Sequence, residues 1–321
     1  MKIIISEKQL KYLISEQITD SFGSCKSEYE NALIKSKEFW KNWLNDPITK
    51  QKMTSIHNFK SEEKTNKIIQ KYISAIDKIN LSFFDSVKKT NDGQINLNDE
   101  DLEYFYTEHS YNYAFVGVDP KIIYVNCAND TTDKIGVLVH EIQHVLYDIF
   151  PINPKKKIGN AFVKKGDRIG SYIDILSSQF RDYKKTGDQD KIRMTGDQIK
   201  NLKLNLDKLG VKDVTEINNL IQRYNKIIIA NSEPKYGYYG CNLNEKMSNI
   251  FTMRSLFNLK PSDKITLNLL KPYILFEKTN DGISYILLCW AFNGFKDIED
   301  FINDMNLLAL KNQKSGDNQI T

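Results

Sequence analysis

Apolar residues recur at the helical period of about 3.6 residues over most of the chain, which predicts a mostly helical protein. The polar segments between these stretches carry glycines and prolines that are typical of helix ends. The predicted helices lie at 5–17, 28–44, 61–84, 132–149, 170–184, 196–209, 214–231 and 243–259, and two or three more precede a polar tail at 312–321.

The pattern changes over residues 112–126, where it predicts two short strands. Tyr113–Val118 and Lys121–Asn126 are rich in aromatic and β-branched residues, and Asp119-Pro120 between them is short enough for a hairpin. The predicted fold class is therefore α+β, mostly helical, with a small β-sheet or hairpin directly before the helix at 132–149.

The predicted helix at 132–149 is apolar nearly all round, which is typical of a buried helix. The segment 130–133, Asp-Thr-Thr-Asp, offers N-cap residues at its start. The helix nevertheless carries His140, Glu141 and His144. Polar groups that are buried without partners are costly, and a metal ion is the simplest common partner for this set.

These polar residues form the pattern His140-Glu141-x-x-His144, known as HExxH. Two histidines four apart point the same way on a helix, so both imidazoles can reach one zinc ion. Glu141 can then act as the general base toward a zinc-activated water. The alternative is a core helix whose histidines bond other side chains and whose glutamate pairs with a lysine.

A catalytic zinc ion needs three protein ligands and an open position for water, so a third ligand must be found. A histidine six residues beyond His144 is excluded, because residue 150 is Phe. A glutamate from a nearby helix is a second solution. The candidates that stay open beside the one discussed next are Asp148, Glu233, Glu108 and His109.

The segment Asn244-Glu245-x-x-Ser248-Asn249 resembles the second zinc helix of thermolysin-like peptidases, which reads Asn-Glu-x-x-Ser-Asp. More broadly, it is similar to the gluzincins, whose third ligand is a helical glutamate. The resemblance implies Glu245 as the third zinc ligand. It also implies that Asn249 lies behind a ligating histidine, where it can accept an N–H bond but carries no charge. Glu245 could equally be a surface carboxylate on an amphipathic helix.

The same resemblance implies how the chain is organised. In this family, a strand that precedes the zinc helix, as Lys121–Asn126 does here, borders the cleft and pairs with an extended peptide. The connection between the two zinc helices is longer here, so 152–240 is interpreted as a helical insertion. The predicted regions are an N-terminal helical region at 1–95, a metallopeptidase-like core at 96–260, and a C-terminal helical region with a polar tail at 261–321.

Composition limits the other classes of function. The chain has 321 residues and a formal net charge of +4, and its lysines are scattered, so neither a nucleic-acid partner nor a membrane partner is indicated. The apolar run at the start of the chain is too short for a signal peptide. The cysteines are far apart and predict buried thiols in a reducing compartment. They are Cys25, Cys127, Cys241 and Cys289.

We therefore expect a cytoplasmic protein. Met1–Leu10 weakly resembles the first residues of tailed-phage proteins. That resemblance would allow a virion-associated protein or one that acts in the host cytoplasm. The sequence does not indicate an oligomeric state.

The predicted function is a zinc-dependent peptidase that hydrolyses a peptide bond of a protein or peptide substrate, with Glu141 as general base. Two alternatives remain open: a non-catalytic interaction or structural protein on a degenerate metallopeptidase core, and hydrolysis of a peptidoglycan cross-link by the same zinc chemistry. The candidate donors to the oxyanion are Tyr236, Tyr238, Tyr239, His109 and Arg254.

Overall fold

The computed structural model describes residues 7–56, 61–84, 113–117, 119–129, 131–149, 194, 196–232, 243–280, 282–284, 287 and 297–311. Helices dominate this part of the chain, as the periodicity predicts. The helices are α1 Glu7–Asn45, α2 Pro47–Ile56, α3 Glu62–Asp77, α4 Lys134–Ile149, α5 Gly196–Lys208, α6 Val214–Ser232, α7 Leu243–Leu256, α8 Leu267–Ile274 and α9 Ile298–Lys311.

Three strands form a mixed sheet directly before α4: β1 Asn80–Phe84, β2 Ala114–Val116 and β3 Ile122–Asn126. The strand order is β1-β3-β2. β1 runs parallel to β3, with Leu81 opposite Ile123, and β2 runs antiparallel to β3, with Phe115 opposite Tyr124. The predicted hairpin and the α+β class are therefore confirmed.

The helix predicted at 61–84 is wrong in its last part. The helix α3 ends at Asp77, and residues 80–84 form β1 instead. Lys37 of α1 donates to the backbone oxygens of Asp77 and Ile79, at the point where the chain leaves the helix. Asn80 then donates its backbone N–H to Lys121, next to β3. A short apolar run fits either period, and here the pairing with β3 decides for a strand.

The first two predicted helices, 5–17 and 28–44, are one continuous helix, α1. The polar segment between them contains no proline, and a helix tolerates Gly23 at a cost of about 1 kcal/mol. The helix predicted at 243–259 ends at Leu256, because Asn258 adopts a positive φ of 50°, as residues just beyond a helix often do. The helix predicted at 170–184 and the boundaries at 95, 152 and 240 lie outside the described residues.

The helix α4 occupies the centre of the described core, between α1, α7 and β2. The side chains of Leu138, Val139, Ile142 and Val145 are fully buried, so the predicted burial of this helix is confirmed. Its most extensive packing is against α7, and α1 contributes the second-largest contact. The helix that carries the HExxH pattern is therefore held on several sides.

The prediction that the cysteines are thiols is wrong for two of them. Cys25 of α1 and Cys127, just after β3, form a disulfide bond with a Cα–Cα distance of 5.9 Å. Their separation of 102 residues hides the pairing in the sequence. The bond can form because Cys25 of α1 lies next to the connection between β3 and α4. Cys241 and Cys289 lie outside the described residues. Within the described ranges no helix combines the length and the apolar character that a membrane crossing requires.

Candidate metal centre

Asp133 fixes the start of α4. It belongs to the segment 130–133, in which the sequence predicted the N-cap. One carboxylate oxygen of Asp133 accepts the backbone N–H of Gly136 at 2.8 Å, and the other accepts the amide of Asn280 at 2.7 Å. A Cβ on residue 136 would collide with the Asp133 carboxylate. Glycine at 136 therefore allows a tight cap, and the cap satisfies an N–H that the helix leaves unpaired.

The helix α1 holds α4 from a second side through backbone oxygens. The indole N–H of Trp40 donates to the carbonyl of Val139 at 3.1 Å, and the hydroxyl of Ser36 lies 3.2 Å from the carbonyl of Ile135. Both donors are buried. The two donors are four residues apart in α1, and the two carbonyls are four residues apart in α4. Since these carbonyls lie on the two turns before His140, α1 fixes the rotation of α4 about its axis.

Three side chains of the predicted site converge at one point. His140 Nε2 lies 3.0 Å from His144 Nε2 and 3.0 Å from Glu245 Oε2, and His144 Nε2 lies 3.2 Å from Glu245 Oε1. Two ligands that are each about 2.0–2.1 Å from a tetrahedral zinc ion are about 3.3 Å apart. The observed separations are close to that value, so the three residues form a group that could hold a metal ion.

The environment of the cluster suits a cation. The His140, His144 and Glu245 side chains are 17%, 13% and 7% exposed. Burial alone would raise the pKa of Glu245, but hydrogen bonds from both histidines outweigh it and lower that pKa to about 2. Glu245 is therefore an anion at neutral pH, and two imidazoles with one carboxylate are a ligand set that zinc accepts.

Glu141 lies next to the cluster and has a different environment. Its side chain is buried, and burial raises the pKa of its carboxyl to about 6, although the two histidines act against the rise. A backbone hydrogen bond from Val116 of β2 also favours the charged form. Two buried carboxyls of one site thus have pKa values on opposite sides of the ordinary value, which is typical of acid–base sites.

The strand that borders the site is not the one that the sequence indicated. The sequence pointed to Lys121–Asn126, but β3 is the central strand, with β1 and β2 on its two sides. Among the described strands β2 is the edge next to α4. The expectation that β3 pairs with a peptide is therefore wrong, because both of its edges are occupied. The sequence indicated both strands of the pair, but no sequence pattern marks which of them lies at an edge.

Arg254 does not belong to the site. Its guanidinium donates to the carbonyls of Lys260 and Asp263 and lies over the ring of Trp43. Burial lowers the pKa of Arg254 to about 10. It lies nine residues beyond Glu245, which corresponds to about 13.5 Å along the helix. Arg254 closes the turn after α7, so its prediction as an oxyanion donor is wrong.

Asn249 is buried, and its Oδ1 lies close to Gly282. The hydrogen bonds between described residues do not join it to either histidine. The remaining candidates fall outside what the structure describes, and for Asp148 this holds for the side chain alone. These candidates are Tyr236, Tyr238, Tyr239, His109, Glu108, Glu233 and Asp148.

The chain was compared with protein-family models, with curated proteins and with solved structures, and none of them matches. The group of His140, His144 and Glu245 that could hold a metal ion, the mixed sheet and the helix packing are therefore the observations from which a function can be argued.

Proposed function

We propose that this protein is a zinc-dependent peptidase of the gluzincin type that hydrolyses a peptide bond in a protein or peptide. The observation that carries the proposal is the convergence of His140, His144 and Glu245, with the buried carboxyl of Glu141 beside them. The HExxH pattern and the Asn-Glu-x-x-Ser pattern were separate signals in the sequence, and each contributes to this cluster.

The ligand set supports zinc as the metal. His140 and His144 would hold the ion through their Nε2 atoms, and Glu245 through its carboxylate. Zinc in such a site supplies Lewis acidity and lowers the pKa of water toward neutrality.

Glu141 would perform the proton transfers. A carboxyl whose pKa lies near 6 is ionised for most molecules at neutral pH and is still basic enough to accept a proton. Glu141 would take a proton from the attacking water on its carboxylate oxygen and return it to the leaving amine. Its pKa is raised mainly by burial, so the packing that surrounds α4 contributes directly to this role.

The edge strand β2 supports a peptide as the substrate. The carbonyl of Tyr113 and the N–H of Gly117 bond to β3. In an antiparallel pair the intervening residues alternate, so the backbone groups of Ala114 and Val116 face away from β3. Because the N–H of Val116 already bonds to Glu141, an extended peptide could pair with the backbone groups of Ala114 and with the carbonyl of Val116, and its scissile bond would then lie close to Glu141.

The test separates the base from the metal ligands. Glu141→Gln should retain zinc in equal amount and lose cleavage of a mixed peptide library by roughly 10²–10⁴-fold, as expected for loss of a general base. His144→Ala should lose both zinc and cleavage. Unchanged cleavage in the Glu141→Gln protein would remove Glu141 from the mechanism. Zinc binding without any cleavage by the unsubstituted protein would favour the alternative of a non-catalytic protein on a metallopeptidase core.

A further inference from the structure

The two helices that carry the metal-binding group are joined by the hydroxyl of one buried threonine. Thr252 of α7 lies with its Oγ1 atom 3.1 Å from the carbonyl of Gly136 in α4 and 3.1 Å from the carbonyl of Ser248 in its own helix. Thr252 is 5% exposed, so water does not compete strongly for these contacts. A single hydroxyl therefore bridges α4 and α7.

Two glycines lie next to this bridge. Gly136, whose carbonyl faces the hydroxyl, is buried, and a Cβ there would collide with Asp133 of the helix cap. On the other side of the threonine, a Cβ on Gly282 would lie 3.3 Å from the Cγ2 methyl of Thr252. The methyl and the hydroxyl are thus both held by neighbours, and a threonine side chain has few rotamers available. The position of Oγ1 is therefore well fixed.

The Thr252 bridge belongs to the same packing of α4 against α7 that brings His140, His144 and Glu245 together. Gly136 is one turn before His140, and its carbonyl is the one that accepts the His140 N–H in a regular helix. Glu245 is seven residues before Thr252, or about 10.5 Å along α7. Thr252 meets Gly136 while Glu245 meets His140 and His144, so the two helices run antiparallel and the bridge sets their register.

We propose that Thr252 is a positioning residue for the metal centre: its hydroxyl fixes the register of α7 against α4 and so holds the Glu245 carboxylate at the two histidines. The role rests on the proposed zinc site. Metal ligands that are 1 Å out of place lose much of their affinity, and partners that orient ligands typically contribute 10- to 100-fold. Thr252 touches neither the metal nor the substrate.

Thr252→Val tests this role, because it replaces the hydroxyl by a methyl group of similar size. We expect zinc affinity, measured by competition with a fluorescent chelator, to fall about 10- to 100-fold. The absorption spectrum of the cobalt-substituted protein should change as well, because it reports the arrangement of the ligands. Thr252→Ser keeps the hydroxyl and should restore both properties.

Thr65→Val is a matched control. Thr65 of α3 is buried like Thr252 and makes a 2.7 Å hydrogen bond, but its partner is Thr54 of α2. Its substitution should lower stability to a similar extent and leave zinc affinity and the cobalt spectrum unchanged. If Thr252→Val binds zinc as tightly as the Thr65→Val protein and gives the same cobalt spectrum, the positioning role is wrong, although the metal site itself still stands.

Two further comparisons keep the inference testable. If Thr252→Val does not fold, Thr252→Ser and Thr252→Ala can be compared instead, since they differ only in the hydroxyl, and equal zinc affinity would overturn the proposal. If the unsubstituted protein binds no zinc, the proposed function fails first. Amide exchange of the metal-free protein then decides about the bridge: faster exchange in α4 and α7 of Thr252→Val than of Thr65→Val supports it, and equal exchange contradicts it.

Discussion

The Nε2 atom of His140 lies 3.0 Å from the Oε2 atom of Glu245, although 105 positions separate the two residues in the chain. Each residue belongs to a different helix, and the packing of α4 against α7 brings them together. His144 completes the group from the next turn of α4. This contact is the relationship from which the candidate metal site, the proposed chemistry and the proposed role of Thr252 follow.

Replacement of Glu245 tests the ligand that comes from α7. Glu245→Gln should lower zinc affinity by at least about 10-fold, because a neutral amide replaces the anionic ligand in a buried site. Glu216→Gln is the control, since Glu216 also lies in the first turn of a helix but is exposed. Isothermal titration with zinc gives both affinities. Equal affinity for the two variants would assign the third ligand to another residue, with Asp148 and Glu233 as the next candidates.

Zinc bound at the proposed site should stabilise the protein. A ligand that binds only the folded chain adds about 2.7 kcal/mol to the free energy of unfolding when its concentration is 100 times its Kd. Urea unfolding with excess zinc and with excess chelator should therefore differ by about this amount at that concentration. In His144→Ala the difference should disappear. A difference that persists in His144→Ala would mean that zinc stabilises the chain from a different place.

The cap of α4 provides a third prediction. Asp133→Ala should cost about 0.5–2 kcal/mol of stability, as expected for loss of an N-cap, and should also weaken zinc binding. Asp213→Ala removes a comparable cap, because Asp213 accepts the N–H of Glu216 at the start of α6. The control should lose similar stability and keep its zinc affinity. Urea unfolding and zinc titration of both variants check this, and a parallel loss of affinity in both would show that the cap of α4 has no particular effect on the site.

The disulfide should make a large contribution to stability. It joins α1 to the connection between β3 and α4, with a sequence separation of 102 residues. For a loop of that size, chain entropy predicts a contribution of about 4.7 kcal/mol to the free energy of unfolding. Replacing both Cys25 and Cys127 by serine should lower the free energy of unfolding by about 2–5 kcal/mol. Thiol titration of the unfolded, unreduced protein provides the control, since two free thiols at these positions would show that the bond does not form.

Much of the site could be predicted from the sequence because its signals are local. His140, Glu141 and His144 lie within five consecutive residues of one helix, and the apolar positions around them showed that the helix is buried. Glu245 was found through a second local pattern, and the fold brings both patterns together. The strand pair before α4 was equally visible, since both of its segments are rich in aromatic and β-branched residues.

Other features depend on distant contacts, which a single sequence does not show. The residues of β1 read as the end of a helix because only the pairing with β3 makes them a strand. The Cys25–Cys127 bond and the bridge from Thr252 to Gly136 each join segments about 100 residues apart. Arg254 was one of several candidate donors to the oxyanion, but its guanidinium bonds to the carbonyls of Lys260 and Asp263 beyond the end of α7.

The most direct test of the proposed zinc site is a crystal structure of the unsubstituted protein grown with zinc, with diffraction data collected on both sides of the zinc absorption edge. We predict a single anomalous peak about 2.0–2.2 Å from the Nε2 atoms of His140 and His144 and from a carboxylate oxygen of Glu245. The account would be contradicted if these three side chains surround no peak, or if the ion beside the histidines is held by a carboxylate other than that of Glu245.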